Sequence, residues 1–227
     1  MKKKKKKTKK VKIRYGRVFI FILILGLLIY LFIKIFHFPI KNIFISGNNL
    51  LSDQEIIDLA GISDYPSIFS VTTYGLEKKI EKNSLVKNAT VKKKRLKEVY
   101  IEIEENYPLF YDTSAKKTIL KDGAGIKEQL KSPILLNYVP DKIYKDFVLK
   151  MSKLSINIIN RISEIKYDPN SVDEERFLLT MNDGNYVYLT LIHFNKINNY
   201  VDIIKNFTNQ KGVLYLDSGE YFKVYEQ

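Results

Sequence analysis

The sequence predicts an α+β protein in which one apolar helix near the N-terminus precedes a larger exterior part. Three observations predict this class: an uncharged run over Val18–Ile33, an alternating strand followed directly by an amphipathic helix over residues 42–60, and hairpin patterns further along the chain. We expect four regions, namely a basic tail (1–17), a membrane-spanning helix (18–38), a first domain (39–106) and a second domain (107–227).

The apolar run has the length of a membrane-spanning helix. At ~1.5 Å per residue, residues 18–36 span roughly 28 Å, close to the hydrocarbon thickness of a bilayer. Lys34 lies near the end of the run, where its long side chain can reach the interface. A cleaved signal peptide has an apolar core of about 7–15 residues and a small-residue cleavage site, and neither is found here. We therefore interpret the run as an uncleaved signal-anchor.

The positive charge of the chain is concentrated at its N-terminus. The formal net charge is +13, and residues 1–17 carry 11 basic and no acidic residues, which leaves +2 for the rest. A basic flank on this side of a spanning helix predicts a cytoplasmic N-terminus and exterior domains on the opposite side. A nucleic-acid-binding protein would need basic residues beside base-reading elements in its folded part. We predict no nucleic-acid partner.

The first exterior domain begins with a strand and a well-defined helix start. Ile43 and Ile45 alternate with Asn42, Phe44 and Ser46, and Gly47 begins a turn. Ser52 and Glu55 have the spacing of a capping box, which predicts a helix that ends at Gly61. A second helix over 72–83 and a hairpin over 86–105 follow. The predicted order is strand–helix–helix–strand–strand, with lysines 92–94 facing glutamates 102, 104 and 105.

The second exterior domain shows strand and helix patterns in alternation. We predict short strands at 109–112, 117–120, 134–137 and 163–167, helices at 141–154 and 195–208, a hairpin over 177–191 and a closing strand within "GVLYLDSG".

The residue types disfavour catalysis and metal binding. The chain has no cysteine and two histidines that lie far apart, His37 and His193. No GxSxG, HExxH or P-loop motif is present. We interpret the acidic clusters at 102–105 and 173–175 as solvated faces. We therefore predict no enzyme, cofactor, metal or small-molecule substrate. The alternative is a membrane-anchored extracytoplasmic cell-wall-modifying enzyme.

The order of these features resembles the FtsQ/DivIB family of bacterial cell-division proteins. The match rests on four groups of residues: Gly47, Asn48, Leu51, Ser52 and Glu55; Val86, Ala89, Val91 and then Glu105-x-x-Pro108; the turn Asp122-Gly123; and the strand "VLYLDSG". The chain departs from the family at Ser84-Leu85 and in "RLKE", where proline is common.

The resemblance implies a POTRA domain followed by a mixed α/β domain, called the β domain, with a C-terminal edge strand. It also implies recruitment to the division site by the POTRA domain and binding of FtsB (DivIC)-like and FtsL-like partners at the end of the β domain. A POTRA-bearing secretion component is the other known context, but it would need a membrane barrel that this length does not contain.

The implied partner-binding residues lie on the last strand and the helix before it: Tyr200, Tyr215, Leu216, Ser218, Gly219 and Tyr221. The alternating pattern of that strand leaves open whether Val213, Leu214 and Leu216 are core or contact residues. We expect Leu216→Asp to weaken partner binding while the domain stays folded.

Overall fold

A computed structural model describes residues 14–36, 38–207 and 210–225. Most of the predicted basic tail, His37 and Thr208 lie outside these ranges. Helix α1, Tyr15–Phe36, begins before the predicted position. Within the described residues it is the one helix long and apolar enough to cross a membrane, and none of that apolar segment is buried in the protein. Helix α1 is consistent with a membrane anchor.

The first exterior domain has the predicted order of elements. It comprises strand β1, helices α2 and α3, and strands β2 and β3, at Asn42–Ser46, Asp53–Ala60, Thr73–Ile80, Val86–Lys94 and Glu98–Glu105. The sheet order is β1-β3-β2, with β1 parallel and β2 antiparallel to β3. Both helices cover one face, where Ile56, Leu76 and Ile80 pack against Val99 and other buried strand residues. The opposite face of the sheet is open.

The start of α2 follows directly from its sequence. The Ser52 backbone N–H donates to Glu55 Oε2 at 2.8 Å, and the Glu55 N–H donates to Ser52 Oγ at 3.3 Å, which completes the capping box. The hydrogen bonds that the Ser52 backbone N–H and hydroxyl donate to the Glu55 carboxylate lower the pKa of Glu55. Gly61 ends the helix with φ +66°, a left-handed conformation that favours glycine.

The predicted charge pairing across the β2–β3 hairpin is wrong. The turn over 95–97 sets a register in which Lys94 lies opposite Glu98, Lys92 opposite Tyr100, and Thr90 opposite Glu102. Register depends on the turn conformation, and the sequence pattern did not specify it.

The second exterior domain is built on a nine-stranded sheet. In chain order its strands β4 to β12 are Pro108–Asp112, Lys117–Leu120, Gly125–Ile126, Ile134–Leu135, Ile162–Tyr167, Arg176–Met181, Tyr186–Thr190, Gly212–Tyr215 and Tyr221–Val224. Their order across the sheet is β12-β11-β10-β9-β8-β7-β4-β5-β6. Helices α4 (Asp141–Met151) and α5 (Ile156–Ile159) contribute to its core, in which the rings of Phe147 and Phe177 stack 4.6 Å apart.

The predicted helix over 195–208 is a different structure. The chain forms two 3-10 segments within Leu191–Asn199, separated by a kink at His193, then a short helix α6 over Tyr200–Ile204 and a further 3-10 turn over Lys205–Phe207. The buried residues recur every three positions, at Leu191, Phe194, Ile197 and Tyr200. A repeat of three matches the 3.0 residues per turn of a 3-10 helix, so one side of it faces the core.

The junction between the two sheets is held by hydrogen bonds of a buried asparagine. Asn106 is 2% exposed. Its N–H donates to the Leu85 carbonyl at 2.8 Å, its side-chain amide donates to the Ser84 carbonyl at 3.0 Å, and its side-chain oxygen accepts from the Asp122 N–H at 3.1 Å. One side chain therefore contacts both domains.

Glu105 is not part of a solvated acidic face, which corrects the prediction for that residue. Its Oε1 atom accepts hydrogen bonds from the backbone N–H groups of Asn49, Leu50 and Leu51, at 2.8, 2.7 and 3.1 Å. Glu105 therefore stabilises the turn between β1 and α2.

Candidate functional site

Strand β12 forms one edge of the nine-stranded sheet within the described residues. It pairs with β11 in antiparallel register, with Tyr221 opposite Tyr215 and Val224 opposite Gly212. The N–H of Tyr225 donates to the Lys211 carbonyl at 2.9 Å. Since hydrogen-bonded pairs alternate along an antiparallel ladder, residues 221 and 223 also face β11. The backbone N–H and C=O groups of Phe222 and Val224 therefore point away from the sheet.

Strand β11, in which sequence analysis placed the partner contact, is an internal strand. It lies between β10 and β12, and the N–H of Leu216 donates to the Tyr188 carbonyl at 2.8 Å. Leu216 is 1% exposed and belongs to the core. The expectation that Leu216→Asp leaves the domain folded is wrong, because this substitution would bury an unpaired carboxylate.

Tyr200 is also a core residue, with 1% of its surface exposed. Its hydroxyl lies 2.8 Å from Asp183 Oδ2 and accepts a hydrogen bond from the Asn185 side-chain amide at 2.9 Å. The side-chain oxygen of Asn185 accepts a hydrogen bond from the Gly212 N–H at 3.0 Å. Burial, together with the Asp183 carboxylate, raises the pKa of Tyr200. Tyr200 thus positions the start of β11 and is not itself available to a partner.

An aromatic row crosses the open face of the sheet and ends at its edge. The rings of Tyr188 and Tyr215 stack 5.5 Å apart, and those of Tyr215 and Tyr221 stack 4.7 Å apart with an interplanar angle of 13°. The guanidinium of Arg176 lies 3.6 Å above the centre of the Tyr188 ring. Tyr221, at the end of the row, is 50% exposed. The row presents rigid aromatic surface beside the unpaired backbone of β12.

Arg176 is fixed in place by two carboxylates. Its Nε donates to Asp217 Oδ2 at 2.8 Å, and a terminal nitrogen donates to Asp168 Oδ2 at 3.1 Å. Burial lowers the pKa of Arg176, but the hydrogen bond and charge of Asp217 outweigh it and the pKa is raised. Sequence analysis missed Arg176 and Tyr188. The alternating patterns of β9 and β10 could be predicted from the sequence. That Arg176 and Tyr188 lie on the same face of the sheet followed only from the register of the strands.

The remaining predicted residues lie on the turn between β11 and β12. Ser218 and Gly219 are exposed, and the N–H of Ser218 donates to Asp217 Oδ1 at 2.9 Å. Five of the six predicted residues thus lie on the β11–β12 hairpin; Leu216 is buried there, and Tyr215, Ser218, Gly219 and Tyr221 are not.

The arrangement is suited to binding an extended peptide. An edge strand offers alternating donors and acceptors that a new strand can pair with, and tyrosine and arginine are enriched in protein interfaces.

Within the described residues no group of three or more histidine, cysteine, aspartate or glutamate side chains could hold a metal ion. The acidic residue Asp173 shapes its own loop, since its Oδ1 accepts from the Glu175 N–H at 2.8 Å.

A β-α-α-β-β domain followed by a large sheet is the arrangement of a POTRA protein, and the apolar helix before it is consistent with a membrane anchor. A model of the FtsQ-type POTRA domain matches residues 38–106. The chain is 31% identical over 206 residues to cell division protein DivIB of Bacillus subtilis (strain 168), covering 87% of this chain and 78% of that protein. It is 30% identical over 198 residues to DivIB of Listeria monocytogenes, covering 83% and 73%. The chain belongs to the FtsQ/DivIB family of cell-division proteins.

A solved structure is also similar. It is the major extracytoplasmic domain of the trans isomer of DivIB from Geobacillus stearothermophilus, with a TM-score of 0.38 and 23% identity, covering 44% of this chain and 92% of that one. Family membership assigns the chain a role in cell division. Together with α1, it indicates a single-pass membrane protein.

Proposed function

We propose that this protein is a bitopic scaffold of the division machinery, without catalytic activity of its own. Its N-terminus lies in the cytoplasm and its two folded domains lie outside the membrane at the division septum. It binds FtsB/DivIC-like and FtsL-like proteins and helps couple their assembly to septal peptidoglycan synthesis, including contact with septal synthase components. The observation that carries this proposal is the outer edge of β12, with which no other strand of the described residues pairs.

A partner strand would add to the sheet beyond β12. It would pair with the outward backbone groups of Phe222 and Val224, and its side chains would contact Tyr221 and Tyr225 on the open face of the sheet. The Tyr225 ring lies 6.5 Å from that of Tyr186 in an edge-to-face arrangement, which extends the aromatic surface. The exposed turn at Ser218 and Gly219 leaves room for the end of the partner strand.

A proline at position 224 tests this binding mode. The Val224 N–H points away from β11, so Val224→Pro removes a donor to the partner but no hydrogen bond of the sheet. Val224→Ala is the matched control, because it shortens the side chain and keeps the N–H. We expect Val224→Pro to stay folded and to bind a purified DivIC-like partner at least about tenfold more weakly, which corresponds to about 1.4 kcal/mol.

The measurement uses the full chain in nanodiscs, with circular dichroism to check folding. Val224→Ala should bind within a few-fold of the unchanged protein. If folded Val224→Pro binds the partner as tightly as Val224→Ala, the added-strand mode is wrong.

The enzyme alternative needs a separate assay. The full chain in nanodiscs is incubated with purified peptidoglycan, and released fragments are measured. The scaffold proposal predicts no release above that from empty nanodiscs. Release that disappears on substituting an acidic residue would instead support a cell-wall-modifying enzyme.

A further inference from the structure

The turn between β2 and β3 lies close to the end of the membrane helix. Helix α1 ends at Phe36, and Phe38 is two residues later, no more than about 7 Å along the chain. The Phe38 carbonyl accepts from the Ile68 N–H at 2.9 Å, and the Lys97 ammonium lies 4.6 Å from the centre of the Phe38 ring. The Lys41 N–H donates to the Lys97 carbonyl at 2.8 Å. These contacts keep the turn near the bilayer surface whatever the tilt of α1.

The surface around this turn combines apolar and basic side chains. We call it the membrane-proximal tip and define it as Phe69, Lys94, Arg95, Leu96 and Lys97. Leu96 is 61% exposed and Phe69 is 49% exposed. The side chain of Arg95 is 84% exposed, and its contact to Glu98, at 3.7 Å, is a surface ion pair that contributes little. Exposed apolar residues flanked by cations are typical of surfaces that bind the membrane interface.

The backbone of the turn is strained in a way that presents Leu96. Arg95 and Leu96 have φ values of +51° and +58°, in the left-handed region where glycine or asparagine is usual. Strain of this kind is concentrated at functional sites. It places a leucine at the apex of an exposed turn, where it makes no contribution to the core.

The neighbouring lysine anchors the tip to the domain. The Lys93 ammonium donates to the carbonyls of Ile68, at 2.6 Å, and of Val71. The loop that carries Phe69 is therefore fixed to β2, beside the turn that carries Leu96. Phe69 and Leu96 line one groove on this surface.

We propose that the membrane-proximal tip is a second membrane contact, formed with anionic lipids of the outer leaflet. Leu96 and Phe69 enter the interface, and Lys94, Arg95 and Lys97 bind lipid phosphates. This contact adds to the anchoring by α1 and restrains the POTRA domain at the bilayer surface. The proposal depends on the membrane insertion of α1 and not on the partner edge at β12.

The chain has no cysteine, so one introduced cysteine can carry an environment-sensitive fluorophore. The full chain with Leu96→Cys is labelled with a nitrobenzoxadiazole dye and reconstituted into phosphatidylglycerol-containing vesicles or pure phosphatidylcholine vesicles. Val172→Cys, at a residue 94% exposed in the β domain, is the control position. We expect a blue shift and protection from an aqueous quencher at position 96 in the anionic vesicles, reduced by high salt, and neither effect at position 172.

A pair of charge reversals separates electrostatic binding from insertion of the dye itself. Lys94→Glu with Arg95→Glu should abolish the shift at position 96. Lys142→Glu with Lys145→Glu, on exposed positions of α4, changes the net charge equally and should leave it intact. The proposal is overturned if position 96 stays accessible to the quencher in anionic vesicles, if both charge pairs act alike, or if protection requires an added protein partner.

Discussion

Tyr200 stabilises the core under the candidate site, because its hydroxyl connects the β9–β10 turn to α6. The group is buried and contacts both Asp183 and Asn185. Tyr200→Phe removes the hydroxyl and leaves the Asn185 amide without that partner. We expect a loss of about 1–3 kcal/mol in the free energy of unfolding, measured by urea denaturation of the full chain in detergent.

The same residue makes the stability of the fold depend on pH in the alkaline range. Burial raises the pKa of Tyr200 above its value in the unfolded chain, about 10. A raised pKa means that the contribution to stability is complete below pH ~10 and is lost as the pH rises through the folded-state value. Above pH ~10, the free energy of unfolding should therefore fall less steeply with rising pH for Tyr200→Phe than for the unchanged protein. Equal slopes would contradict the assignment.

At the scale of single elements, the β11–β12 hairpin depends on a glycine. A Cβ atom at Gly212 would collide with the Lys223 carbonyl across the hairpin and would also meet the Phe222 ring. We expect Gly212→Ala to open the pairing of β12 while the POTRA domain stays folded. Hydrogen exchange of the Lys223 and Tyr225 amides should accelerate at least about tenfold, while that of β3 amides is unchanged.

Gly125 provides the comparison for that variant. It lies on β6, at the opposite edge of the same sheet, where a Cβ atom would meet flexible side-chain atoms of Lys117 and Ile119 and no backbone atom. Gly125→Ala should leave β12 exchange unchanged. Equal exchange in Gly212→Ala and the unchanged protein would show that the close approach does not control the edge.

Local patterns predicted the elements better than their pairing. The capping box at Ser52, the glycine stop at Gly61 and the hairpin through Asp183 depend on residues close in sequence, so they could be predicted. The register that puts Lys92 opposite Tyr100 depends on the conformation of the turn, and the parallel pairing of β10 with β11 depends on residues distant in sequence. The same limit applies to the site, because Tyr215 was predicted from resemblance, whereas its stacking partner Tyr188 needed the register.

The closing strands show a second limit of sequence patterns. Alternation of Leu214 and Leu216 fits an internal strand as well as an edge strand, since both have one buried face. The structure places a further strand, β12, outside β11, so the edge lies at Tyr221–Val224. Because Leu216 is buried, the candidate partner contact lies at the residues that follow it and not at Leu216 itself.

At the scale of the whole molecule, three parts follow one another along the chain. The apolar helix α1 leads into the POTRA domain, and the buried residue Asn106 joins that domain to the nine-stranded sheet through hydrogen bonds. In the proposed account, the tip and α1 hold the chain at the membrane, while the β12 edge remains free for partner proteins. Membrane attachment and partner binding are thus assigned to different surfaces and can be altered separately.

Photo-crosslinking in dividing cells tests the central claim most directly. A benzophenone amino acid replaces Tyr221 at the sheet edge in one variant and Tyr138, which is 63% exposed elsewhere in the β domain, in another. The account predicts that position 221 crosslinks to a small membrane-anchored division protein of the DivIC or FtsL type during septation, and that position 138 does not. Identical crosslinking from both positions, or no such protein captured at 221 in cells that divide normally, would contradict it.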